Sequence, residues 1–169
     1  MQRPSPDRTS SKSNAVRQSS RPSPQEPPPD SPYVFSDQIG FLLRRAYQRH
    51  LAIFQARISD SQLTSVQFST MCALQDRGPQ SQGELVKATG VDQATIRGII
   101  ERLKARRLIA LSKDPVDARK VIVSLTSSGA DMLKRIVPLA ADVTELTFGS
   151  LNPGERTALV YTLQRMLQE

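Results

Sequence analysis

Between Ser81 and Leu125 the spacing of apolar residues changes once, from steps of three and four to steps of two. Leu85 and Val86 mark a short helix over 81–89. Ile96, Ile99, Ile100 and Leu103 mark a longer one over 92–107. Gly90 stands between them, where a tight turn needs a left-handed residue. Two helices joined at a glycine turn make a helix-turn-helix. Ile109 and Leu111 then alternate up to Asp114-Pro115-Val116-Asp117, and Val121, Val123 and Leu125 alternate after it. Period two on both sides of a turn-prone loop is a β-hairpin. A hairpin placed directly after a helix-turn-helix is a wing. The fold class is therefore mainly α, a winged helix-turn-helix with a β-hairpin wing.

Helices flank this unit. Ile39, Leu42, Leu43, Ala46, Tyr47, His50, Leu51, Phe54 and Ile58 predict a helix over 36–59, capped by Ser36 or Asp37. At 1.5 Å per residue it would be about 36 Å long, more than a compact domain of this size needs. Part of its wide apolar stripe is expected to meet a second chain. Thr64 is expected to cap a second helix that Gly78-Pro79 stops. Thr126 caps a helix to about Phe148, with a kink expected at Pro138. Asn152-Pro153-Gly154-Glu155 opens the last helix: Asn as cap, Pro in the first turn, Glu three residues after the cap. Leu159, Leu163, Met166 and Leu167 form its apolar side.

Residues 1–32 differ in kind. They hold eight of the chain's 12 prolines and eight serines, with Met1, Ala15 and Val16 as their only apolar residues. Such a segment cannot bury enough surface to offset its ordering entropy, so it is expected to be a disordered tail. A sequence-blind arm on nucleic-acid phosphates is the sharper alternative to a solvated extension.

Charge is localised. The chain carries a net +7. Outside 1–32 the surplus is +5, and the 34 residues from Lys87 to Lys120, with nine basic and four acidic groups, account for all of it. That is an electrostatic footprint for an anionic partner. One Cys excludes an internal disulfide and a four-ligand Cys/His zinc site. No apolar run reaches the roughly 18–20 residues of a membrane span, and no secretory signal pattern is present. The expectation is a soluble cytoplasmic protein. One His, one Cys, no paired acidic motif and no glycine-rich phosphate loop leave nothing for catalysis, and no metal or cofactor is expected.

The order of these residues resembles the MarR family of winged-helix transcription regulators over about 36–168. The resemblance is carried by Leu63-Thr64 with Gln67-Phe68, Ser81-Gln82 with Glu84-Leu85, and Val91-Asp92 with Ala94-Thr95-Ile96. It continues through Arg102-Leu103, Arg107-Leu108-Ile109, Asp114-Pro115 with Asp117 and Arg119, and Val123-Ser124-Leu125-Thr126 with Gly129. It implies a homodimer joined by its terminal helices, 33–62 and 126–169, with 63–125 as the DNA-binding winged helix-turn-helix. It also implies a regulator, a repressor by expectation, that binds a pseudo-palindromic operator and is released by a small ligand. A sequence-blind architectural DNA binder and a winged helix used only for protein–protein assembly are the rivals.

On that reading the helix from Asp92 enters the major groove, and Gln93, Thr95, Arg97 and Gly98 face the DNA. Arg97 can bond guanine and Gln93 adenine, both bidentately. Arg119 suits a narrow minor groove, Asp117 can hold its guanidinium, and Lys113 and Lys120 reach flanking phosphates. Ser81 and Gln82 are expected on a phosphate at a helix start. The sequence departs from the family at Arg97-Gly98, where many members have Thr then Arg, and at Arg107, where Gly is common.

The resemblance also implies an effector pocket between the first, second and fifth helices. Its candidate residues are Arg44, Tyr47 and His50 on the first helix and Phe68 and Cys72 on the second. The Thr95–Ile100 variant is similar to a branch linked to aromatic-acid catabolism, which points to an aromatic carboxylate or its CoA thioester. Cys72 keeps a thiol-based redox sensor open as an alternative, though a buried thiol is usually inert.

Overall fold

A computed structural model describes residues 32–117 and 119–168. The stretch expected to be a tail, 1–32, lies outside the described residues apart from Pro32. The unit that carries the fold begins at Phe35. It has six α-helices and three short strands: α1 (Ile39–Arg57), α2 (Ser65–Arg77), β1 (Gln80–Ser81), α3 (Gln82–Thr89), α4 (Gln93–Ala105), β2 (Ile109–Lys113), β3 (Val121–Leu125), α5 (Ser127–Phe148) and α6 (Pro153–Met166).

Local chemistry sets the helix starts. Thr64 and Gln67 form a capping box on α2, Ser81 and Glu84 one on α3, and Asn152 and Glu155 one on α6. Asp92 caps α4, and Thr126 caps α5 as expected. The expected cap of α1 is different. Ser36 and Asp37 lie in a 3-10 turn, Phe35–Asp37, and Gln38 precedes the helix without a side-chain capping bond. The Phe35 and Phe41 rings meet with centroids 4.8 Å apart, so an aromatic contact rather than a polar cap sets the entry of the chain. The helix is also shorter than expected, 19 residues or about 28 Å.

The core forms where the helices cross. Leu63, Met71, Leu85, Ile96, Ile99 and Leu103 are fully buried, and Val123 closes the layer from the sheet. Phe54 and Ile58 of α1 join it, with Leu133, Ile136 and Val143 of α5. Two buried polar side chains brace this layer: Gln67 accepts from the Thr64 N–H at 3.0 Å, and Gln80 donates to the Ala73 carbonyl at 2.8 Å.

The hairpin is antiparallel, with Ile109 opposite Leu125, Leu111 opposite Val123 and Lys113 opposite Val121. Its base gains a strand that the periodicity does not reveal: β1 pairs with β3, giving the order β1-β3-β2. Only the base of the hairpin reaches the core. Ile109 and Val123 are buried, whereas Leu111 and Val121 are exposed. The wing thus projects from the body.

The turn between α4 and β2 is tight. Arg107 donates its N–H to Lys104 O at 2.8 Å and Leu108 to Leu103 O at 3.0 Å, the two bonds of a Schellman end. Thr126 bonds the carbonyls of Arg107 and Leu108. This brings the Leu108 carbonyl so close to Gly129 that a Cβ there would lie 2.1 Å from its oxygen, so only glycine fits. No helix of the described residues is long and apolar enough to cross a membrane.

Candidate nucleic-acid interface

The helix-turn-helix is built at Gly90, which takes φ 67° and donates its N–H to Val86 O at 3.0 Å. Asp92 then accepts the Thr95 N–H at 2.9 Å and the Thr95 hydroxyl at 2.6 Å. Those bonds, the hydroxyl first, hold the Asp92 carboxyl below the usual carboxylate range. With Ile96, Ile99, Ile100 and Leu103 buried, Gln93, Thr95 and Arg97 are exposed and Gly98 is half-buried. Gln82 reaches across from α3 and donates to the Gln93 carbonyl at 3.2 Å. Gln82, Gln93, Ala94 and Arg97 line one shallow cleft at the start of α4. Three of the expected DNA-facing residues, Gln82, Gln93 and Arg97, therefore share one cleft, whereas the Thr95 hydroxyl is spent on its cap.

Ser81 departs from expectation. Its N–H and its hydroxyl both donate to the Glu84 carboxylate at 2.7 Å. The Ser81 hydroxyl and N–H hold that carboxyl below its usual range, so it stays charged. An anion already occupies the helix start, and a phosphate would meet repulsion there rather than free donors.

In the wing, Asp114 accepts the N–H groups of Val116 at 2.7 Å and Asp117 at 3.0 Å, which lower its pKa. Lys120 closes the turn by donating its N–H to Asp117 O at 2.8 Å. The expectation that Asp117 holds the Arg119 guanidinium is not met. Its carboxylate instead accepts the Arg119 backbone N–H at 3.1 Å, and no ion pair joins the two among the described residues. Two residues apart on a tight loop, the carboxylate reaches the nearer backbone donor first. Lys113, Arg119 and Lys120 are exposed. Among the described residues only Arg106 of the basic stretch forms an ion pair, with Asp60 on the α1–α2 connection. The other cations of α4 and the wing form no close ion pair among those residues, although the Lys120 charge helps to lower the pKa of Glu84 and Asp114.

The five candidate effector residues do not converge. Phe68 and Cys72 line a cavity of about 790 Å³ between α2 and α5, with Leu133, Lys134, Val137 and Pro138. His50 lies instead on a groove of about 480 Å³ between α1, α5 and α6, its Nδ1 3.1 Å from the Thr147 hydroxyl. Tyr47 is half-exposed and stacks on His50 at 6.3 Å, and Tyr47 and Arg44 line neither cavity. The split arises because α1 enters the core only at its C-terminal end, at Phe54 and the capping Ile58, while its earlier stripe of Leu42, Leu43 and Tyr47 stays exposed. Lys134, Leu133 and Val137 are absent from the sequence candidates; they sit on an ordinary amphipathic helix and carry no local signal. Burial, and then the Asp76 charge, push the Cys72 thiol up, which disfavours the reactive thiolate.

These features define a winged-helix protein with an exposed recognition helix and a basic wing. Residues 61–120 match the MarR family. The chain is 59% identical over 150 residues to the HTH-type transcriptional repressor NicR of Pseudomonas putida, covering 88% of this chain and 95% of that one. It is 30% identical over 125 residues to the transcriptional regulator HosA of Escherichia coli O111:H-, covering 74% and 91%. A solved structure of BpsR of Bordetella bronchiseptica, whose DNA binding is regulated by 6-hydroxynicotinic acid, is 57% identical. It superposes with a TM-score of 0.79 over 82% of this chain and 99% of that one. A cysteine-to-serine mutant of MarR from E. coli, solved with operator DNA, shares the fold with a TM-score of 0.73 at 24% identity, over 80% and 99% of the two chains. The chain belongs to the MarR family. It is a transcriptional regulator and not an enzyme.

Proposed function

We propose that this chain is a homodimeric, sequence-specific repressor that binds a pseudo-palindromic operator in the cytoplasm and is released by an aromatic monocarboxylate. The observation that carries the reading is the exposed face of α4, where Gln93 and Arg97 stand beside Gln82 with Arg97 unpaired among the described residues. On this reading Arg97 and Gln93 read base edges in the major groove, and Gly98 lets the helix approach closely. Arg119 enters the minor groove while Lys113, Lys120 and Gln82 hold phosphates. Asp117 shapes the wing loop rather than touching DNA.

On this reading the effector occupies the α2–α5 cavity. Phe68, Leu133 and Val137 suit an aromatic ring, and Lys134, whose ammonium also pairs with the exposed Asp131 at 3.2 Å, supplies one cation for a carboxylate. A CoA thioester would bring several phosphates to a site with one lysine and the acidic Asp76, so the free acid is the better match. The regulation of BpsR by 6-hydroxynicotinic acid supports a hydroxylated pyridine carboxylate. Neutral Cys72 gives the redox-sensor reading no support.

A mobility-shift titration on DNA flanking the coding region tests this. Binding should fall steeply with salt and be released by 6-hydroxynicotinic acid. Arg97→Ala and Arg119→Ala should each weaken binding by roughly tenfold or more. Unchanged affinity in both variants refutes the docking. A weak, salt-insensitive interaction would favour a protein–protein module.

A further inference from the structure

Gly98 is the one position of α4 whose missing side chain is filled by another residue. The atoms nearest to where its Cβ would stand are Nη2, Nη1 and Cζ of Arg102, at 3.6, 3.7 and 3.9 Å. A helical side chain leans toward the N-terminus, so an arginine one turn on can lay its guanidinium over a glycine. Arg102 is exposed. Among the described residues its guanidinium has no hydrogen-bond acceptor and no ion pair, not even with the neighbouring exposed Glu101. Its five N–H donors are all free among those residues.

The position matters as much as the charge. At 100° per residue, Ala94 and Gly98 lie opposite the buried Ile96, Ile99, Ile100 and Leu103. This outermost line of the helix carries only a methyl group and a hydrogen at those two places, before the exposed Glu101. A guanidinium folded onto that low ridge points at the floor of a groove, whereas one splayed sideways would meet the phosphate walls. We propose that Arg102 is a second base-reading arginine of α4, a specificity determinant whose guanidinium Gly98 positions. The proposal rests on the DNA-binding reading above.

The test uses a duplex that the wild-type full-length chain selects from a randomised pool. Should the wild type select no sequence, the DNA-reading function itself fails. Given a selected site, Arg102→Ala should bind it about tenfold or more weaker, with preference relaxed at one position per half-site and scrambled DNA nearly unaffected. Arg102→Lys keeps the charge but not the planar fork, and should fail to restore that preference. Gly98→Val crowds the guanidinium and should cause the same relaxation, with little further loss when combined with Arg102→Ala. Circular dichroism and thermal melts confirm that each variant is folded. Unchanged selectivity in Arg102→Ala overturns the proposal. So does equal weakening on all DNA, rescued by lysine, with a salt slope lower by about one per contact, since that marks a phosphate contact. A full additional loss from Gly98→Val in the Arg102→Ala background overturns the positioning role of Gly98.

Discussion

Arg107 holds a left-handed backbone, φ 58°, at the end of α4. A side chain in that region costs roughly 1–2 kcal/mol that glycine does not incur. The Schellman bonds to Leu103 and Lys104 and the Thr126 hydroxyl on the Arg107 carbonyl hold it there. Arg107→Gly should therefore stabilise the fold by about 0.5–1 kcal/mol, after the greater unfolded-state freedom of glycine is counted. A urea titration measures it, and a lowered midpoint would show that the arginine side chain contributes more than its backbone costs. The departure from glycine at this position was legible in the sequence. The close approach at Gly129 was not, because the atom that forbids a side chain there is a carbonyl on Leu108, distant along the chain.

At the scale of elements, the caps join sequence to electrostatics. Glu84 at the start of α3, Asp92 at the start of α4 and Asp114 in the wing have pKa values lowered by the hydrogen bonds they accept. A lowered native pKa means that the unfolded chain binds protons more readily. The stabilisation is thus complete above the ordinary carboxylate range and is lost as the pH falls through the lowered values. Stability should be flat from neutrality down to the upper edge of that range and then decline. Glu84→Gln should make the decline shallower while keeping the capping geometry. Urea midpoints across about pH 2–7 check this, and identical acid limbs in variant and parent would contradict it. These bonds are local, each partner lying within three residues, although the sequence alone points Ser81 to a phosphate instead. The strand β1 was not legible: two residues carry no periodicity, and their pairing with Val123 and Ile122 joins distant parts of the chain.

For the whole molecule, the exposed apolar surface calls for a partner. Leu42 is 48% exposed and Tyr47 50% on α1, with Leu159 and Val160 each 41% on α6. No residue of α6 is buried, although the helix is well capped and its corner with α5 is tied by Arg156 to Glu145 at 2.6 Å. In the proposed homodimer these apolar faces of both terminal helices form the association surface, and a second copy suits a palindromic DNA site. Leu42→Asp combined with Leu159→Asp should give a folded monomer in sedimentation. Its operator affinity should drop by roughly 100-fold or more, because two linked half-sites no longer act together. A dimer that persists in this variant would place the interface elsewhere.

Amino-acid order alone determined the winged helix-turn-helix, its caps and turns, and the stretch of chain that bears the excess positive charge. Each of those depends on neighbours within a turn of helix or a pair of strands, where period and hydrogen-bonding residue type are sufficient. Only the tertiary structure decided that Phe68 shares a cavity with Lys134 while His50 faces another groove. Those outcomes turn on which faces meet when helices pack and which donors are left over afterwards, and no local period encodes either.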